Sequence, residues 1–250
     1  MLRTFVIFIG RKKNPSFNIE RNVSSAMLFW FAFHKLIAFT RGLRLLFSFR
    51  WPQFIFLGRG VKLTGINNIR FGKIVRIEDH VHLSGFGKHG MTIGNNVWIG
   101  SFSQLKVSFS MNHPGSHICI GNNVGIGEFA HLGGAGGLDI GDDCIIGPYF
   151  SCHPENHIFS DPGKRIREQG TTRKGIVVGK NCWIGSKVTI LDGVTIGDNC
   201  VIAAGAVVSK DMPADSVIGG VPARIIRIRE QQIEKTCIER SRNTDFEMIV

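Results

Sequence analysis

The sequence predicts an all-β solenoid, a chain of very short strands that turns a corner every six residues. Three observations carry this reading. Val178, Ile184, Ile190, Ile196, Ile202 and Val208 are spaced by six without a gap, and the spacing returns at Phe71, Ile77 and Leu83, at Ile93, Ile99 and Leu105, at Ile120, Ile126 and Leu132, and at Ile140 and Ile146. Four residues after the aliphatic comes a second small or aliphatic side chain, as at Val97, Ser103, Val124, Ala130, Cys144, Cys182, Val188, Val194, Cys200 and Ala206. Glycine supplies 31 of 250 residues, where average usage predicts roughly 17, and without a collagen period these glycines serve recurrent turns. Helices and ordinary strands repeat at 3.6 and 2 residues, so neither gives a period of six. Three hexads make one coil of 18 residues, with the first-position aliphatic filling a triangular interior and the fifth-position residue fitting beside it. Successive coils then stack at the strand spacing of about 4.8 Å.

Ahead of the solenoid lies a segment of different character. Residues 1–60 hold ten Lys and Arg against Glu20 alone, together with eleven of the nineteen Phe, Trp30 and Trp51. The net charge of the whole chain is +11, so the excess belongs to this leader. The apolar run Ala26–Phe33 is interrupted by His34 and Lys35 before Leu36–Phe39, too short and too charged for a span, which wants about 20 apolar residues. A helix with aromatic bulk on one side and Lys35, Arg41, Arg44 and Arg50 available to anionic headgroups suits peripheral membrane contact. Packing on the chain's own domain or on a neighbouring subunit is the alternative. The aromatics form one block rather than stacking platforms set among basic residues, which argues against nucleic acid.

The six cysteines, at 119, 144, 152, 182, 200 and 237, fall in no zinc-ribbon spacing,. The opening apolar stretch is too short for a secretory signal, so a cytoplasmic chain with reduced thiols is expected. Cys144, Cys182 and Cys200 occupy fifth positions and are expected to be small, buried and inert.

The repeat breaks after Cys152 and resumes at Val178, around a polar loop spanning 152–177. Structureless loops of this length inside a compact domain are usually functional. It holds His153 and His157, and histidine is the natural general base at neutral pH.

The stretch GKNCWIGSKVTILDGVTIGDNCVIAAGAVVSKDMPADSVIGGVPARIIR, residues 179–227, resembles the coenzyme-binding end of the hexapeptide-repeat acyltransferases, and the repeat-level likeness covers about residues 60–228. The resemblance implies a left-handed parallel β-helix, an exception to right-handed crossover, which associates as a trimer with sites between subunits. It divides the chain into a basic aromatic helical leader (1–60), the β-helix (61–223) and a short C-terminal helix and tail (224–250).

Family members carry the catalytic base on this loop, either as His-Pro or as Asn-His followed by an aromatic and Ser-Asp. This chain contains both, His153-Pro154 and Asn156-His157-Ile158-Phe159-Ser160-Asp161. In the family the base lies nine residues after the proline of an Ile-Gly-Pro hexad, which from Pro148 selects His157. His153 and Asn156 remain candidates for substrate contact, and Glu155, Asn156 and Asp161 for orienting the imidazole. Position by position, the resemblance places Ser186 near a thioester carbonyl, Trp183 as a wall of the same cleft, and Ala204 beside the pantetheine arm. Ser209 and Lys210 match a Thr-Lys pair, and Arg224 and Arg227 match the cations near the adenosine phosphates, a role suited to guanidinium.

The expected activity is acetyl-CoA-dependent O-acetylation of a saccharide hydroxyl in surface polysaccharide biosynthesis, with acetyl-CoA as co-substrate and no metal. N-acetylation of a nucleotide-linked amino sugar is the alternative, and serine acetylation a more distant one. A zinc site of the gamma-type carbonic anhydrases, built from His117, His153 and His157, and a non-catalytic scaffold are remote alternatives.

Overall fold

The computed structural model describes residues 18–20, 22–48, 54–107, 110 and 112–229, with Thr4 and Ile7. Its body is a three-sided parallel β-helix whose faces are sheets of nine, seven and six strands. Each strand pairs with its equivalent one coil away, so identical hexad positions stack into columns. On the first face Leu57, Ile77, Ile99, Ile126, Ile146, Ile184, Ile202 and Ile218 fall in register. Leu63, Leu83, Leu105, Leu132, Cys152, Ile190 and Val208 do the same on the second. On the third face Phe71, Ile93, Ile120, Ile140, Val178 and Ile196 align. Apart from the partly buried Leu63 and Phe71, every member of these columns is buried, as are all ten fifth-position residues. The hexad period therefore describes one continuous apolar interior.

The fifth positions show how the interior is filled. Phe150, the largest fully buried side chain, stands in a column with Ser103, Ala130, Val188 and Ala206, so its ring is flanked by smaller neighbours. Ser103 is buried yet satisfied: its Oγ donates to the Gly127 carbonyl at 3.2 Å and accepts from the Ala130 amide at 3.1 Å. A buried hydroxyl without such partners would be costly. The cysteines at 119, 144, 152, 182 and 200 are free thiols. Burial raises the Cys152 and Cys200 thiols above their ordinary value, in keeping with a packing role.

The three edges differ. Between the third and first faces, amides and carboxylates stack as ladders: Asn96 donates to Asn123 at 3.0 Å, and Asn123 to Asp143 at 2.9 Å. Between the first and second faces, His80, Phe102, Phe129 and Tyr149 stack with ring centroids 4.9–5.2 Å apart and planes within 12°. All four are non-glycine residues in the left-handed region, with φ of 57–62°. The third edge, between the second and third faces, is where the long loops leave the coil.

The first coil opens with the strand Phe56–Leu57, and helix α1 (Ser25–Gly42) precedes it. The Ser24 hydroxyl caps α1 by accepting from the Met27 amide at 3.2 Å,. Its C-terminal Gly42 lies against the Ile55 carbonyl, where any Cβ would collide. Leu28, Gly42 and, beyond the helix, Leu45 are buried, while Met27, Phe29, Trp30, Phe31, Phe33 and Leu36 are exposed. Among the described residues no helix is long and apolar enough to cross a membrane. Two of the four cations expected to face headgroups turn inward instead. Lys35 pairs with Glu78 at 3.3 Å, and Arg44 donates to the Val61 carbonyl at 2.8 Å. Arg50 lies outside the described residues.

At the other end the expectation of a short helix from residue 224 is corrected. Ala223–Ile228 is a strand that doubles back antiparallel to Ser216–Gly220. Ile225, Ile226 and Ile228 are β-branched, which suits a pleated surface better than a helix. Residues 230–250 of that helix and tail lie outside the described residues.

Candidate active site on the polar loop

The strand Ser151–His153 ends at Pro154, which has no N–H to continue the ladder,. The chain returns to register only at Ile176–Val178, paired with Leu138–Ile140. In between, the strands Asn156–His157 and Thr171–Thr172 pair antiparallel, with His157 opposite Thr171. Gln169 draws the tip together, its Nε2 donating to the carbonyls of Asp161 at 2.8 Å and Lys164 at 2.9 Å.

Asp192, on the following coil, anchors the loop's return. Its Oδ1 accepts from the amides of Lys174 at 2.8 Å and Gly175 at 2.9 Å, and its Oδ2 from the Thr172 hydroxyl at 3.1 Å. Replacing Asp192 with Ala is expected to cost about 1–3 kcal/mol and to speed amide exchange over 171–175. Native-state hydrogen exchange with protection there unchanged would refute this anchoring role.

Arg173 ties two excursions together. Its Nε contacts the Glu155 carboxylate, and its Nη1 donates to the His113 carbonyl at 3.1 Å. Beside this tie an open cavity of about 510 Å³ is lined by Ser110, His113, His157, Arg167, Gly170, Thr171 and Arg173. The His157 imidazole is exposed, and among the described residues no carboxylate pairs with it. Glu155 is committed to Arg173, and Asp161 to Lys164 and the Gly163 amide.

His153 sits outside that lining. Its Nε2 lies 3.0 Å from the Ser151 hydroxyl, and its ring stacks on His131 with centroids 5.8 Å apart. Burial, then the neighbouring His153 and Lys106, hold the His131 imidazole below its ordinary pKa. His117 is on the third face, with Nδ1 2.9 Å from the Ser116 hydroxyl and Nε2 3.0 Å from the Asp139 carboxylate. His117, His153 and His157 are not gathered, and among the described residues no group of three such side chains could hold a metal ion.

The residues matched to coenzyme binding lie elsewhere on the prism. Trp183 stands out from the first face beside Ile145 and Val201, 58% exposed. Ser186 and Ala204 occupy the edge between the first and second faces, where the Ser186 carbonyl accepts from the Gly205 amide at 2.8 Å. A Cβ at Gly205 would meet nothing within 4 Å, so this stretch of edge is open. Ser209 and Lys210 follow the strand Val207–Val208 and are exposed, and Arg224 and Arg227 are exposed on the doubling-back strand. Within one chain Ser186 and Ala204 lie on a different edge from His157, with the second face between them and the polar loop, whereas Ser209 and Lys210 follow the second face on the loop's own edge, two coils on.

Sequence reasoning missed His113, Arg167, Arg173 and Asp192. One signal was present: Leu105 and Ile120 are fifteen residues apart, which is not a multiple of six. That break marks the excursion carrying His113, just as the 152–178 break marks the one carrying His157.

Fold and edge geometry define a three-sided parallel β-helix built on a six-residue repeat. Residues 175–210 match the family described as bacterial transferase hexapeptide (six repeats). The chain is 38% identical over 141 residues to galactoside O-acetyltransferase of Escherichia coli (strain K12), covering 54% of this chain and 63% of that protein. It is 29% identical over 184 residues to the E. coli (strain K12) protein named "Putative lipopolysaccharide biosynthesis O-acetyl transferase WbbJ", covering 70% of this chain and 87% of that one. Among solved structures, a hexapeptide-repeat containing acetyltransferase of Vibrio cholerae O1 biovar eltor complexed with acetyl coenzyme A is 23% identical, with a TM-score of 0.38 over 85% of this chain and 94% of that one. The chain is thus similar, over part of its length, to bacterial proteins named as O-acetyltransferases, and it spans less than two thirds of the galactoside enzyme's length.

Proposed function

We propose that the protein is an acetyl-CoA-dependent O-acetyltransferase acting on a saccharide hydroxyl in surface polysaccharide biosynthesis. The observation that carries the reading is His157, exposed on a polar loop that leaves a hexapeptide coil and lining a cavity large enough for a sugar. The names of the galactoside and lipopolysaccharide relatives support the acceptor class.

In the proposed reaction His157 takes the acceptor hydroxyl proton while the oxygen attacks the thioester carbonyl. A C–O bond forms, the C–S bond breaks, and the proton passes to the departing sulfur, with no acyl-enzyme intermediate. Little further chemistry is needed once both substrates are held together. Ser186 steadies the carbonyl, Trp183 and Ala204 border the pantetheine arm, and Ser209, Lys210, Arg224 and Arg227 receive the far end of the coenzyme. Because His157 and Ser186 lie on different edges of one prism, the complete site in this reading forms between copies of a homotrimer. Incubation with acetyl-CoA and a panel of sugar, nucleotide-sugar and lipid-linked acceptors, read by mass spectrometry for one added acetyl group, tests the reaction. A monomer in sedimentation at micromolar concentration would remove the intersubunit site.

In this reading the leader holds the enzyme at the inner face of the membrane. The exposed aromatic surface of α1 supports such contact, and the inward turn of Lys35 and Arg44 shifts the weight from charge to aromatic insertion. The full chain is expected to sediment with anionic vesicles and to be released only in part by high salt, whereas a chain beginning near Phe54 stays in solution. Equal sedimentation of the two would leave α1 a packing element.

A further inference from the structure

The charges of the polar loop do not cancel, and one of the two cations left over lines the cavity. Residues 153–175 carry Lys164, Arg165, Arg167, Arg173 and Lys174 against Glu155, Asp161 and Glu168. The three carboxylates are each committed to a loop cation: Asp161 to Lys164 at 3.4 Å, Glu168 to Arg165 at 3.8 Å, and Glu155 to Arg173. Among the described residues Arg167 and Lys174 are left without a carboxylate partner, and of these two and the paired Arg165 only Arg167 lines the cavity with His157. His113 and Arg173 border the same space, and among the described residues no acidic side chain lines it.

A guanidinium beside a reacting hydroxyl would do little for a neutral sugar, whose hydroxyls water also satisfies. Its planar fork of donors matches a carboxylate or a phosphate. We infer that the acceptor carries an anionic group, the carboxylate of an acidic sugar or the phosphate of a sugar phosphate, and that Arg167 is the specificity-determining residue that holds it. This rests on the acetyl-transfer reading of the site and narrows its acceptor class. Arg173 has a different part: its bonds to Glu155 and the His113 carbonyl hold the cavity walls together, leaving Arg167 to meet the ligand.

The test reads binding without acetyl-CoA, so it stands apart from the transfer reaction. Histidine ring resonances of the full chain are followed by NMR during titration with glucose, glucuronate and glucose 1-phosphate. At least one anionic probe is expected to shift the His157 and His113 rings at a concentration about tenfold lower than glucose requires, as for a charge-assisted hydrogen bond. Whether glucuronate or glucose 1-phosphate acts first identifies the anionic group. Arg167→Gln is expected to abolish that preference, and Arg165→Gln, on the paired cation outside the cavity, to leave it intact. Anions that bind no better than glucose would overturn the inference. So would an equal effect of the two substitutions, which would mean that only the general positive charge of the chain is being sensed. If the anion preference is present and depends on Arg167 while no acceptor gains an acetyl group, the transfer reading fails and the anion site stands.

Discussion

Replacing His157 with alanine is expected to lower acetyl transfer by 10²–10⁴-fold, the range for a lost general base, while coenzyme binding is retained. The separation of His157 from Ser186 and Ala204 within the chain is what makes the two effects divisible. Turnover with saturating acetyl-CoA, alongside calorimetric titration with CoA, measures both. His153→Ala is the companion experiment, because His153 is bonded to Ser151 and stacked on His131 rather than lining the cavity. It is expected to change turnover by less than about tenfold. Full activity in His157→Ala with a large loss in His153→Ala would transfer the base to the His-Pro pair.

The second large effect concerns stability. Phe150 is fully buried and fills a fifth position that its column otherwise gives to Ser, Ala and Val. The neighbouring coils cannot close over the space its ring would leave, because their strands are held by ladder bonds such as His131 N to Phe150 O at 2.8 Å. Phe150→Ala is therefore expected to cost about 3–5 kcal/mol, measured by urea denaturation. Since each coil touches only its neighbours, the loss of hydrogen-exchange protection should be greatest in the coils on either side. A cost below about 1 kcal/mol would mean that the interior relaxes far more than stacked coils allow.

The residues that the period marked, from Ile77 to Val208, are those the structure buries, because a column of identical positions repeats one environment many times. Phe150 was the exception, a large ring where a small residue was expected, and its flanking by Ala130 and Val188 becomes visible only once coils are stacked. The break at 152–178 showed where His157 would leave the coil. The walls of its cavity could not be read in the same way. His113 meets Arg173 across sixty residues, a contact made by two irregular loops, which carry no periodicity from which to infer proximity. The C-terminal segment was misjudged for a related reason. Arg224–Ile228 follows the last regular coil, and its strand form depends on the exposed sheet edge of Ser216–Gly220, which the local sequence does not advertise.

Repetition makes coils interchangeable in principle, yet the edge between the first and second faces distinguishes them. Stacking consumes the faces of His80, Phe102, Phe129 and Tyr149, leaving only their rims toward the surroundings, in a kerb about 14 Å long at the coil spacing,. The next two coils put Lys187 and then Gly205 at the same position, so the aromatic kerb ends and the edge lies open at Gly205. The change falls at the coil that carries Ser186. A thread-like molecule lying along this edge therefore meets a boundary at one height only, and an otherwise uniform prism acquires an address.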